Sequence, residues 1–197
     1  MSKKLFSNFI LSNYEIHEWK HASTILKGDF PNEWKDLIET LEQFQLQKNW
    51  IIIGGGRKSK ISLWFDDILI KERGWIEKSF DTSVLVDGEE NISPTHKIDC
   101  YKNRIALEIE WNNKDPFFDR DLNNFRLLFE LRAISVGIII TRTDELQDLF
   151  IDIGRGKSYG QSTTHIGKLL PKIQGGGGGG CPIIVFGIKK SLYREDL

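Results

Sequence analysis

Residues 97–143, KIDCYKNRIALEIEWNNKDPFFDRDLNNFRLLFELRAISVGIIITRT, constrain the chain more than any other stretch. Two short runs of period two flank a turn at Asn103, which predicts a β-hairpin. In the first run Ile98 and Cys100 share one face and Asp99 takes the other. In the second, Ile105, Leu107, Ile109 and Trp111 share a face, and Ala106, Glu108 and Glu110 lie opposite. DRDLNNFRLLFELRAI follows as a helix, with Asp119 or Asp121 as its cap. VGIIITRT then has the near-continuous apolar character of a buried strand, as does CPIIVFGI later. The expected order is β-β-α-β, a polar loop-like stretch over 152–174, and a last strand.

The hairpin carries three carboxylates near its ends. Strand alternation puts Glu108 and Glu110 on one face, roughly 6 to 7 Å apart. The partner strand can bring Asp99 beside Glu108. Three like charges converging would repel, so a cation is the natural occupant. Hard oxygen ligands suit Mg²⁺, which can polarise a phosphoryl oxygen and activate bound water. Two solvent-facing glutamates on an edge strand would give the same pattern. The apolar flanks argue instead for a core strand, and Trp111-Asn112-Asn113-Lys114 follows directly.

The rest of the chain is read more coarsely. Residues 1 to about 50 look mostly helical after a short initial strand. Trp34, Leu37, Ile38, Leu41 and Phe44 form the stripe of an amphipathic helix. Ile51 to Ile53 and Ile61 to Phe65 flank GGGRKSK, which reads as strand, basic loop, then strand or helix start. DDILIKERGWIEKSFD continues as a helix. The glycine run 175–180 ends in a strand, so it serves either as a mobile loop or as a place of close backbone approach.

Composition is that of an ordinary globular chain, 40% hydrophobic and 28% charged over 197 residues. Formal net charge is -1, from 27 basic and 28 acidic residues. A nucleic-acid partner would require the charges to be separated between faces. Cys100 and Cys181 lack metal-type spacing and read as buried thiols. No secretory leader and no membrane-length apolar run is evident, so a soluble cytoplasmic protein is expected, organised as a single domain over 1–197, with a helical part over 1–50 and the remaining core over 51–197.

The D-x8-E-x-E spacing on a hairpin, followed by a helix and a buried strand, resembles the PD-(D/E)XK nuclease core. That implies an α/β fold with a central mixed sheet flanked by helices. Most of that superfamily carries lysine at the last position. Glu110 stands there instead, which resembles the BamHI and BglII type of restriction endonuclease. EWNNKDPFFDRDL and SYGQSTTH are similar to BglII and BstYI relatives. The resemblance implies a type II restriction endonuclease, a homodimer on a short palindromic duplex with a GATC core and 5′ overhangs. It makes Asp99 and Glu108 metal ligands, with Glu110 orienting or deprotonating water. A further acid from a preceding helix is assigned to Glu77, ahead of Glu72 and Asp67. Other nucleases on this core, for repair or junction cleavage, are the alternative within enzymes. A non-catalytic DNA-binding protein is the alternative outside them.

DNA contacts are expected from three segments. Asn112 and Asn113 could read adenine edges, with Lys114 on a phosphate. Arg155, Lys157, Ser158, Tyr159, Ser162, Thr163, Thr164 and His165 lie among glycines that let backbone approach a groove. STTH also suits a helix cap. Arg57, Lys58 and Lys60 form a basic loop suited to the DNA backbone.

Overall fold

Val136–Arg142 and Ile183–Ile188 are buried at every residue because each has a strand on both sides and helices over its faces. The computed structural model describes residues 3–53, 58–92 and 95–195. Helix α1 (Asn8–Asn13) leads into strand β1 (Tyr14–Trp19), α2 (Ala22–Asp29) and α3 (Pro31–Gln43). Then come β2 (Leu46–Gln47), α4 (Lys48–Ile52) and α5 (Lys60–Asp66), which runs into one turn of π-helix (Asp67–Glu72). Strands β3 (Ile76–Lys78), β4 (Ser83–Val86), β5 (Glu89–Ile92), β6 (Ile98–Lys102) and β7 (Ile105–Ile109) follow. The order continues through α6 (Pro116–Glu130), β8 (Val136–Arg142), α7 (Leu146–Asp152), α8 (Ile166–Gln174), β9 (Ile183–Ile188) and β10 (Tyr193–Arg194).

Six strands form one mixed sheet in the order β1-β9-β8-β7-β6-β3. The central strands β7, β8 and β9 are parallel, and the outer pairings are antiparallel. Alternation sends Leu107, Ile109, Ile138, Ile140 and Phe186 towards the N-terminal helices. Ala106, Ile139, Ile183 and Val185 face α6 and α8. Gly137 lets α6 approach closely, since a Cβ there would lie 2.4 Å from the Phe125 ring. The glycine tract is likewise packed: a Cβ on Gly178 would stand 2.4 Å from Ile183. Of its two readings, close backbone approach is the one the structure bears out.

The hairpin, the α3 stripe and both buried strands stand as expected, and both cysteines are buried free thiols. Several local expectations are corrected. The N-terminal strand follows a helix and forms an edge of the main sheet rather than opening the chain. Ile51 and Ile52 lie in helix α4 and Ile53 is its C-cap, not a strand; of the three only Ile51 is buried. The 152–174 stretch contains helix α8, whose apolar Ile166, Leu169 and Ile173 bury one stripe. The segment after Asp66 is helical only to Glu72; Gly74, at φ 72°, ends it and β3 begins. Asp115, not Asp119 or Asp121, stands at the N-cap position of α6, with Pro116 in the first turn.

Ile98 and Cys100 do not share a core. Cys100 packs with the N-terminal helices and Ile98 with α6. Between the pairs Ile76–Tyr101 and Lys78–Ile98 the register slips, a step of two residues facing a step of three. Such a slip re-aims a side chain, here around Asp99.

Candidate active site at the end of the parallel strands

Glu108 and Glu110 face α6 from β7 and its end, and neither is solvent-exposed. Glu108 Oε2 accepts from the Asp99 N–H at 3.3 Å, and Asp99 Oδ2 accepts from the Ile109 N–H at 3.0 Å. This reciprocal pinning holds the two carboxylates side by side on adjacent strands. Glu110 continues the strand pairing through its N–H to the Ile140 carbonyl, 2.9 Å. Its carboxylate accepts from Asn113 Nδ2 at 2.7 Å and Arg120 at 3.3 Å. The alternating acids therefore line a buried site rather than a solvent face.

Asp121 is a member that the strand pattern could not show. It lies on α6, fully buried, and its Oδ1 accepts from Arg120 at 2.9 Å. Its position between Phe118 and Phe125 puts an acid on the apolar stripe of an amphipathic helix, which is the signal available in the sequence. Asp66, at the end of α5, is the other addition. It forms an ion pair with Lys58, and both face Asp99 electrostatically. Asp66 is carried by helix α5, whereas Glu77, expected on a preceding helix, is not on one. Glu77 sits on β3, where it bonds Lys97 at 2.5 Å and lies 3.6 Å from Lys58. The Lys97 hydrogen bond holds its carboxyl below the usual range.

The electrostatics are those of crowded acids. Burial pushes the Glu108 carboxyl well above the usual glutamate range, and the neighbouring Asp121 and Asp99 push it further. Glu110 is pushed up to about 9 by burial and by Asp121. Burial raises Asp121 to about 6 although Arg120 opposes the rise. Glu108 Oε1, Asp121 Oδ2 and Asp66 Oδ1 are buried without a hydrogen-bond partner among the described residues. Buried oxygens left unpaired beside like charges fit a divalent cation with oxygen ligands. A cleft of about 430 Å³, with Lys58, His96, Asp99, Glu110, Asn113 and Arg120 in its walls, adjoins them.

The expected DNA-contacting residues separate into two groups. Backbone bonds tie 113–115 to 162–164: Thr164 N–H to the Asn113 carbonyl and Asp115 N–H to the Ser162 carbonyl. Lys114 and Thr163 form a further bridge. Within this knot Thr164 Oγ1 accepts from the Asn113 N–H, and Thr163 Oγ1 bonds Arg142 and the Gly160 carbonyl. Tyr159 is buried against Phe150 and Trp111. Those side chains hold the loop to the core, and none of the STTH hydroxyls caps α8, whose N-cap is His165. His165 lies against Asp144. Asn113 spends its amide on Glu110. Lys60, Lys114, Lys157, Ser158 and Ser162 are exposed and Asn112 is half-buried. Lys58 turns to the acid cluster rather than outward. Arg57 lies outside the described residues.

Among the described residues no helix is long and apolar enough to cross a membrane. No match was found among curated protein sequences. The family model of restriction endonuclease BglII/BglIII matches residues 14–188. That span begins at the first residue of β1 and ends at the last of β9, so it takes in the whole six-stranded sheet and every carboxylate described above. With its restriction-endonuclease-like mixed α/β fold, the chain belongs to the restriction endonuclease BglII/BglIII family of type II site-specific deoxyribonucleases.

Proposed function

We propose that this chain is a Mg²⁺-dependent, homodimeric restriction endonuclease that cuts both strands of a short palindromic site with a GATC core, leaving 5′ overhangs. The supporting observation is the buried pair Asp99–Glu108, with an unpartnered Glu108 oxygen, beside a cleft walled by Asp99 and Glu110. Asp99 and Glu108 hold the metal. A divalent cation held there supplies Lewis acidity and offsets charge developing on the phosphate.

The chain's own groups do the rest. Glu110, steered by Asn113 and Arg120, orients the attacking water, or accepts its proton once a bound cation offsets the neighbouring acids and draws off the proton that burial leaves on it. Arg120 and Lys58, both in the cleft walls, offset the negative charge of the backbone phosphate. Glu77 keeps Lys97 and Lys58 in position at the cleft. Asn112, Ser158 and Ser162 reach base edges, while Arg57, Lys60, Lys114 and Lys157 lie along phosphates. Tyr159, Thr163, Thr164 and His165 shape the loop that carries them. Two-fold symmetry of the protein matches that of the palindrome, and each subunit cuts one strand. The site-specific activity implies a cytoplasmic restriction-modification system with a companion DNA methyltransferase.

The test is digestion of unmethylated plasmid with Mg²⁺, by wild type and by Glu108→Ala, with light scattering for the assembly state. Discrete fragments with 5′ overhangs, absent for the variant, are expected. DNA binding without cleavage in any divalent metal would overturn the proposal.

A further inference from the structure

Beside Asp99–Glu108 lies a second group of ligand atoms. His96, Glu108 and Asp121 each offer one, and all lie within 4.8 Å of one another. They come from three different elements: the segment before β6, strand β7 and helix α6. Each acid has one oxygen held by a nitrogen donor and one that no such donor reaches. Among the described residues Glu108 Oε2 takes the Asp99 N–H and Oε1 has no partner; Asp121 Oδ1 takes Arg120 and Oδ2 has no donor, while the Asp121 carboxyl also lies against that of Glu110. Both side chains are fully buried, where an unpaired carboxylate oxygen is costly. His96 Nε2 stands 3.7 Å from Asp121 Oδ1, too far for a hydrogen bond. The backbone at His96 is held by Asn124, whose Nδ2 donates to its carbonyl at 3.0 Å, and Asn124 shares α6 with Asp121.

We infer that His96, Glu108 and Asp121 form a second divalent-cation site, distinct from the Asp99–Glu108 site and sharing Glu108 with it. One imidazole nitrogen among carboxylate oxygens favours a borderline ion such as Mn²⁺ over the purely oxygen-seeking Mg²⁺. Two carboxylates and a neutral imidazole bring a formal charge matched by one dication. His96 also lines the cleft, so water or a phosphate oxygen from that side can complete the coordination. The inference rests on the nuclease reading only through the shared Glu108.

The experiment is Mn²⁺ titration of the full chain, read by electron paramagnetic resonance and by spin-echo modulation from ligand nitrogen. Wild type and Asp99→Asn should both show ¹⁴N modulation from a bound imidazole, changing to the ¹⁵N pattern in protein grown on ¹⁵N-histidine. His96→Ala should lose it, with Mn²⁺ affinity weakened about tenfold or more and Mg²⁺ affinity changed less. His96→Gln, which keeps bulk and polarity, should lose the modulation too and guards against a folding defect. Mn²⁺ bound without nitrogen modulation, or modulation that survives both His96 variants, overturns the inference. If instead wild type carries the nitrogen signal but cuts no DNA, the nuclease mechanism fails and the site stands.

Discussion

Glu108→Gln should stabilise the metal-free protein and weaken the metal-loaded one. Glu108 is fully buried, its Oε1 is unpartnered, and a ligand atom of Asp121 lies within 4.8 Å of one of its own. Two like charges at that separation repel by about 3.5 kcal/mol at an effective dielectric near 20. Proton uptake relieves part of this, so the amide should gain about 2 kcal/mol at pH 8, or about 4–8 °C in melting temperature. The pH dependence has a definite sign. Burial raises the Glu108 carboxyl above its ordinary 4.5, so the folded state holds a proton that the unfolded chain has released. Wild-type stability from this group is therefore full below about pH 4.5 and is lost as pH rises towards the raised folded value. The variant lacks that slope, so its advantage in EDTA should widen from pH 5 to pH 8. Saturating Mn²⁺ or Mg²⁺ should reverse the order, because wild type gains about 2.7 kcal/mol at a hundredfold excess over Kd. Thermal unfolding followed by circular dichroism reads all four conditions. A variant that melts below wild type in EDTA at pH 8 would refute the reasoning.

Glu110→Gln should slow cleavage by about 10²- to 10⁴-fold, the usual scale of a lost proton acceptor. DNA affinity measured with Ca²⁺ should stay nearly unchanged, and a matching loss of affinity would count against its role. Arg120→Ala removes the cation shared by Glu110 and Asp121, so metal-free stability at pH 8 should fall by about 1 kcal/mol, discounted for partial exposure. Urea denaturation with and without divalent ion checks this, and a rescue by metal is expected. Gly137→Ala drives a Cβ into the Phe125 ring and should cost about 1–3 kcal/mol without changing the pH slope. DNA affinity should fall steeply with salt, despite a net charge of -1, if Lys60, Lys114 and Lys157 lie along phosphates. A flat salt response in filter binding would exclude that face.

The carboxylate strand was legible because period-two alternation dictates which residues share a face. Ile105, Leu107, Ile109 and Trp111 do pack together, and Glu108 and Glu110 do lie opposite them. The α3 stripe and the two apolar strands were readable for similar reasons. Asp66 and Asp121 were not, although Asp121 lies on a readable helical stripe. An acid on such a stripe is informative only once the facing surface is known to carry other acids. Glu77 was misplaced because the helix after Asp66 stops at Gly74, a break that apolar periodicity alone did not register. Tyr159, Thr163 and Thr164 illustrate the reverse case. Their hydroxyl and aromatic character suits a groove, yet long-range packing against Trp111, Phe150, Arg142 and Asn113 turns them inward.

By itself, the chain's local pattern determined the hairpin, the crossover helix and the buried strands, together with the carboxylates Asp99, Glu108 and Glu110. Each of these depends on spacing within a few residues. Only the tertiary structure decided that α6 and the segment before β6 add Asp121 and His96, and that α5 adds Asp66. Those groups meet through contacts between elements far apart in sequence, and a one-residue slip in the pairing of β3 with β6 is enough to divide Ile98 from Cys100 beside Asp99. Spacing determines which side chains share a face, whereas packing determines which faces meet.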